Sequence, residues 1–193
     1  LIQCLELCSL HLQLGTDDEE ALISGSIFAD GAGCALVSSR APDPSAGGYR
    51  FRGLSSALTP TGEESMAWEV GNNGYEIVLS SYVPHILGDN IRSTLTPKLD
   101  EQGWGVEDVD FWCVHPEGKA ILDRIAEAID LKDDALDIAR DVLRRNGNMS
   151  SATIFFLLAQ GLEEGKNGNT AAMAFGPGLT GEMAFLERMG VEG

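Results

Sequence analysis

Two residues in this sequence join a side chain suited to chemistry with a setting that would hold it still. His115 closes the apolar stretch Asp110-Phe111-Trp112-Cys113-Val114 and is followed by Pro116. Asn148 stands between Gly147 and Met149-Ser150-Ser151-Ala152-Thr153, just ahead of the most apolar run in the chain, Ile154 to Leu158. The stretch before His115 reads as an apolar strand that delivers an imidazole at its end. A Gly, then Asn and Ser, then a long apolar run reads as a helix start whose side-chain oxygens cap free backbone N–H groups. That helix is predicted from Asn148 to near Gly165 and, being apolar all round, is expected to be buried. A carboxamide at its mouth is costly unless its donors and acceptors find partners. An imidazole N–H and a carboxamide N–H are donors without formal charge. Held still, such groups could take part in chemistry. Plainer readings stand beside this one: Asn148 as a helix cap and His115 as a satisfied loop histidine.

Three stretches occur in a telling order. Val114-His115-Pro116 with Gly118 comes first, then Gly147-Asn148-Met149-Ser150-Ser151-Ala152, then Phe175-Gly176-Pro177-Gly178-Leu179-Thr180. In this the sequence resembles the type III polyketide synthases, the chalcone-synthase-like enzymes of the thiolase superfamily. Phe28-Ala29-Asp30-Gly31-Ala32-Gly33 is similar to that family's strand-turn signature further upstream. The resemblance runs over nearly the whole chain, yet it covers only the C-terminal half of such an enzyme. It implies one C-terminal domain over residues 1–193, with the nucleophilic cysteine in an N-terminal half outside this sequence. The fold implied is that half of the thiolase fold, a mixed five-stranded α/β sheet with packed helices, one of them buried.

The reaction implied by the resemblance is decarboxylative Claisen condensation of malonyl-coenzyme A onto an acyl starter held as a cysteine thioester. His115 and Asn148 would hold the enolate oxygen, and the His would also support the cysteine thiolate. Acyl-coenzyme A and malonyl-coenzyme A are the implied partners, with no separate cofactor and no metal, and the full-length family implies a homodimer. By the same resemblance Lys119 and Ala120 lie near coenzyme A, and Ser150 lines the cavity. Gly176, Pro177 and Gly178 form the loop that closes it. Aligning Val83-Pro84 places Ile77 at the family's gatekeeper position. A solvated Lys119, a core Ile77 and a capping Ser150 are the ordinary alternatives. Glu117 departs from the family's Gly-Gly pair and brings bulk and charge beside His115. Two other readings remain open: a ketoacyl synthase-like condensing enzyme, and a non-catalytic half-fold that docks on another chain.

Gly176, Gly178 and Gly181 also fit G-x-G-x-x-G after a strand. Pro177 removes an N–H that a phosphate would need, and no helix of useful length follows, so the dinucleotide reading is set aside.

Composition narrows the classes. The 193 residues suffice for one domain with a substantial core, and 44% hydrophobic content excludes a disordered chain. The net charge of -17 argues against nucleic acid and anionic membranes. It also suits coenzyme A poorly, so the basic cradle for that ligand is expected in the other half. No apolar run reaches bilayer length, no leader pattern opens the chain, and Leu1 in place of Met suits a fragment or processed product. Cys4, Cys8, Cys34 and Cys113 each sit in a strand-like apolar setting and are expected to be buried and reduced, in a cytosolic compartment. Cys4, Cys8 and His11 lack the fourth ligand that structural zinc requires.

The remaining pattern supplies the frame. Residues 1–14 and 26–39 are predicted as strands, the second bent at Asp30-Gly31-Ala32-Gly33, with a short helix or loop at Asp17 to Leu22 between them. Pro42, Pro44, Gly47 and Gly48 mark a loop, and Tyr49 to Leu58 a third strand. Met66 to Val70 and Tyr75 to Leu79 alternate around Asn72-Asn73-Gly74, a hairpin pattern. Pro84 opens a helix carrying Ile86, Leu87, Ile91 and Leu95. Helices are predicted over Ile121 to Ile129 and from Asp133 or Asp134, and strands over Thr170 to Phe175 and Met183 to Leu186.

Overall fold

Apolar residues at helical spacing decide where the core forms. In α2 (Val83–Gln102) the side chains of Val83, Leu87, Ile91, Leu95 and Leu99 are buried on one stripe. A step of four residues keeps them on one face. Pro84 sits in the first turn, where its missing N–H has no helical partner to lose, and Gly103 at φ 76° ends the helix in the left-handed region. The stripe packs on α3 (Lys119–Ala128), which buries Ile121, Leu122 and Ile125. The structure, a computed structural model, describes residues 1–42, 47–71 and 74–189.

The main sheet has the order β3-β8-β7-β6, from β3 (Gly48–Leu58), β8 (Thr180–Met189), β7 (Asn169–Gly176) and β6 (Phe111–Val114). β6 runs parallel to β7, with Val114 opposite Met173, and the other neighbours are antiparallel. All four residues of β6 are buried. β1 (Ile2–Glu6) and β2 (Gly31–Ala35) form a separate antiparallel pair, and β4 (Met66–Gly71) and β5 (Gly74–Leu79) form the predicted hairpin. The fold is therefore the expected mixed α/β arrangement of sheet and packed helices. Its main sheet has four strands among the described residues rather than five, because β1 and β2 pair with each other. Asn72, Asn73 and Pro44 lie outside the described residues.

Several boundaries differ from the sequence pattern. Asp18 accepts a hydrogen bond from Ala21 N at 2.9 Å and starts α1 (Glu19–Ile27), so Ser26 and Ile27 are helical and the strand begins only at Gly31. A capping Asp followed by Glu19 and Glu20 favours a helix that runs past the acidic segment. The first strand stops at Glu6, and a 3-10 turn, Cys8–His11, follows. α4 (Asp137–Asn146) opens at Asp137 instead of Asp133 or Asp134. α5 is Thr153–Glu163, five residues shy of Asn148, and only Thr153, Leu157 and Gly161 in it are buried; Ile154, Phe156 and Leu158 are half-buried. No helix among the described residues is long and apolar enough to cross a membrane.

Candidate active site

His115 extends the β6–β7 pairing by one residue: its N–H donates to Met173 O at 2.8 Å. Pro116 then stops the strand, and Glu117 N donates back to His115 O at 3.1 Å, which turns the chain toward α3. The imidazole is buried, so it needs partners inside the protein. Nε2 lies 2.8 Å from Ser150 O. A carbonyl only accepts, so this nitrogen carries the hydrogen and the neutral ring has its lone pair on Nδ1. Burial lowers the His115 pKa below its ordinary value, partly offset by the Ser150 bond.

Asn148 reaches the same residue from the other side. Gly147, at φ 75°, turns the chain out of α4 where an added Cβ would stand 3.0 Å from Ile27 O. Asn148 N then donates to Ile27 O at 2.8 Å, and Asn148 O accepts from Ala29 N at 2.8 Å. The backbone is thus pinned on both edges to the end of α1 and the residues just after it. The side chain is 2% exposed, and its Oδ1 accepts from Ser150 N at 2.8 Å. That bond sets the orientation of the carboxamide, with Oδ1 as the acceptor and Nδ2 as the donor.

Ser150 is the hinge between the two side chains. Its amide is held by Asn148 and its carbonyl by His115, and its φ is 50°, a left-handed conformation for a residue with a Cβ. Such a conformation costs on the order of 1–3 kcal/mol and persists where surrounding bonds over-determine it. Met149 N is tied to Thr153 Oγ1 at 2.9 Å, which locks the turn onto α5. The glycines of β2 permit the close approach beneath: a Cβ on Gly31 would stand 2.6 Å from Met149 Cβ, and one on Gly33 2.8 Å from Phe155 Cβ.

The geometry brings His115, Asn148 and Ser150 together and leaves the other expected residues apart. Asn148 precedes a 3-10 turn, Ser150–Ala152, and α5 starts at Thr153, so the helix mouth is not at the carboxamide as the sequence suggested. Lys119 is 83% exposed at the start of α3, with Nζ 3.6 Å from Asp123 Oδ2, and Ala120 beside it is also exposed. Gly176, Pro177 and Gly178 make the tight return from β7 to β8, with Gly178 at φ 76°. Ile77 lines a cavity of about 570 Å³ together with His11, Leu12, Trp68 and Val78. Neither His115 nor Asn148 lines that cavity.

Glu117 does not carry the charge its residue type suggests. It is buried, its Oε1 accepts from Phe175 N at 3.1 Å, and burial pushes its pKa up to about 8. It therefore brings bulk to His115 but a largely neutral carboxyl at neutral pH. The cysteines also part from expectation: Cys113 alone is buried, Cys4 and Cys8 are half-buried, and Cys34 is exposed. The β1–β2 pair is too thin a ribbon to enclose both faces of its residues. Reading side chains alone missed the main-chain groups, Ser150 O and Phe175 N, that orient His115 and Glu117. The glycines of Phe28–Gly33 were the available signal for the close packing that places them.

A mixed sheet with a buried His at a parallel-strand end and a buried Asn on a pinned turn has the architecture of the C-terminal half of the thiolase fold. The chain matches the family described as chalcone and stilbene synthases, C-terminal domain, over residues 53–190, and it belongs to that family. It is 27% identical to a putative chalcone synthase of Bacillus subtilis over 96% of its own length and 53% of that protein. Among solved structures it is similar to 1,3,6,8-tetrahydroxynaphthalene synthase of Streptomyces coelicolor, a bacterial type III polyketide synthase. The TM-score is 0.89 at 28% identity, over 98% of this chain and 54% of that one. It is also similar to PKS-I of the brown alga Ectocarpus siliculosus, with TM-score 0.86 and 26% identity over 97% and 52% of the two chains. The chain spans about half the length of the relatives it matches.

Proposed function

We propose that this chain supplies the oxyanion-binding half of a type III polyketide-forming condensing enzyme, with the nucleophilic cysteine on polypeptide outside this sequence. The observation that carries the reading is the convergence of buried His115 and Asn148 on the backbone of Ser150. Malonyl-coenzyme A loses carbon dioxide, and the electron pair of the broken C–C bond passes to the thioester oxygen as an enolate. Asn148 Nδ2–H and His115 Nε2–H donate to that oxygen, the imidazole exchanging the Ser150 carbonyl for the stronger acceptor. The enolate carbon then attacks the acyl thioester: a C–C bond forms, the C–S bond breaks, and the cysteine leaves as thiolate. Neutral donors already held beside that oxygen stabilise the developing charge, and removing one costs about two to three orders of magnitude in turnover.

Acyl- and malonyl-coenzyme A are the substrates of this reading. In this reading Ile77 is the gatekeeper, Ser150 and the Gly176-Pro177-Gly178 return border the acyl site, Lys119 and Ala120 lie toward the coenzyme, and the whole enzyme is a cytoplasmic homodimer. Asn148→Asp, tested in an enzyme that contains this chain, replaces a donor with a carboxylate that repels the enolate. It is expected to reduce malonyl-coenzyme A decarboxylation by about 100-fold or more and to affect starter loading far less. Near-normal decarboxylation would return Asn148 to being a structural turn residue.

A further inference from the structure

The chemistry above uses Nε2 of His115 and leaves Nδ1 idle. Nδ1 is buried with no hydrogen-bond partner among the described residues. Because Nε2 donates to Ser150 O, Nδ1 is an acceptor in want of a donor. Glu117 Oε1 faces it at 3.9 Å. The carboxyl is held there by Phe175 N and by the Glu117 N to His115 O turn.

Among the described residues, no ion pair joins another charge to either group. On α3, Lys119 runs to Asp123 at 3.6 Å, while Arg124 runs to Glu127 at 2.9 Å and to His85. β7 carries no titratable side chain from Asn169 to Gly176, and neither does the turn from Asn148 to Thr153. On β6, Cys113 is buried, and burial pushes its thiol up so that it stays neutral. Glu6 on β1, which packs on the Ser150–Ala152 turn, is hydrogen-bonded to Ser151, so among the described residues the carboxyl and the imidazole have no ion-pair contact but their own.

We propose that Glu117 is a positioning residue that holds a proton for His115. Its carboxylic O–H faces Nδ1, maintains the Nε2–H tautomer, and yields its proton to Nδ1 when negative charge arrives at Nε2. In that step the Glu117 O–H bond breaks and an N–H bond forms at Nδ1. A carboxylate and an imidazolium result, and the net charge of the pair is unchanged. In this step the 3.9 Å between Oε1 and Nδ1 closes to hydrogen-bonding distance. The imidazolium is the stronger donor to an enolate or thiolate, since charge-assisted hydrogen bonds are about twice as strong as neutral ones. The purpose assigned to the pair rests on the condensing-enzyme reading; the pairing itself does not.

The test is an NMR titration of the 193-residue chain with ¹⁵N in the His115 ring and ¹³C in the Glu117 carboxyl, in wild type, Glu117→Gln and Glu117→Leu. In the wild type, Nδ1 is expected to shift from a hydrogen-bonded to a free acceptor value as the Glu117 carboxyl ionises, the two signals sharing one midpoint. That Nδ1 transition is expected to vanish in both variants. A flat Nδ1 signal through the Glu117 transition would overturn the proposal, as would a hydrogen resident on Nδ1 in the neutral wild-type ring. The wild-type titration decides alone if the variants fail to fold. No coenzyme A ester is used, so this result and that of Asn148→Asp are independent.

Discussion

The chain before Val83 and the chain after it treat their apolar residues in opposite ways. Among the described residues, every buried apolar side chain lies at Met66 or beyond, and every large exposed one lies at Tyr82 or before. β3 shows the contrast within one strand. Gly53, Ser55 and Ala57 turn inward, while Leu54 and Leu58 are 75% and 69% exposed. In α2, by contrast, the large residues take the inward face and the polar ones the outward face. The later region thus owns a closed core, and the earlier one carries apolar surface outward. The site is stitched from both: Asn148 is pinned by Ile27 and Ala29, whereas His115 is pinned by Met173. A rigid core therefore sets His115, and its partner depends on a segment with little core of its own.

Paired substitutions sharpen this comparison. Leu95→Ala, within the buried α2 stripe, is expected to cost about 2–5 kcal/mol through lost transfer energy and a residual cavity. Urea unfolding of the 193-residue chain measures it; a cost below about 1 kcal/mol would mean that the later region lacks the closed core described.

A smaller effect comes from proton linkage at the site. The Glu117 pKa is raised from an ordinary 4.5 to about 8, so its contribution is full below 4.5 and is lost as pH rises through about 8. The His115 pKa is lowered from 6.5, so its contribution is present above 6.5 and is lost as pH falls below it. Between pH 6.5 and 8 only Glu117 of the two acts, and stability is expected to fall by on the order of 1 kcal/mol per pH unit. Urea midpoints at the two ends of that window should separate for the wild type and converge for Glu117→Gln. An equal slope in the variant assigns the linkage elsewhere.

The smallest thermodynamic effect belongs to the exposed face. Leu54→Ser is expected to change stability by no more than about 0.5 kcal/mol. Its consequence is colloidal: the 193-residue chain should self-associate through its exposed apolar side chains despite a net charge of -17, and this change should reduce it. Light scattering reads both. A clean wild-type monomer would show that the earlier region is self-sufficient.

Much of this was legible in the residues. The α2 stripe, the β4–β5 hairpin and the strand that delivers His115 follow from spacing alone, because each pattern has one regular structure that buries it. The order of the His-Pro, Gly-Asn and Gly-Pro-Gly stretches pointed to the family that the comparisons show. What escaped depends on contacts between distant segments. The left-handed Ser150 carries little local signal, since one of the two side chains that hold it, His115, is 35 residues away in the chain. The length of α1 follows from the choice of Asp18 as its cap, and α5 starts at Thr153 without a side-chain cap, after a turn tied by Met149 N to Thr153 Oγ1. The neutrality of Glu117 follows from how deeply the turn after β6 is buried, which residue type does not reveal.

The central claim is that His115 and Asn148 act on one oxygen as a unit, and a double-mutant cycle on malonyl-coenzyme A decarboxylation tests it most directly. In an enzyme containing this chain, His115→Ala and Asn148→Ala should each lower turnover by about two to three orders of magnitude. The double substitution should fall well short of the product of the two losses, because removing either donor already disables the shared site. Losses that multiply fully would mean two independent residues and would contradict the site built on Ser150.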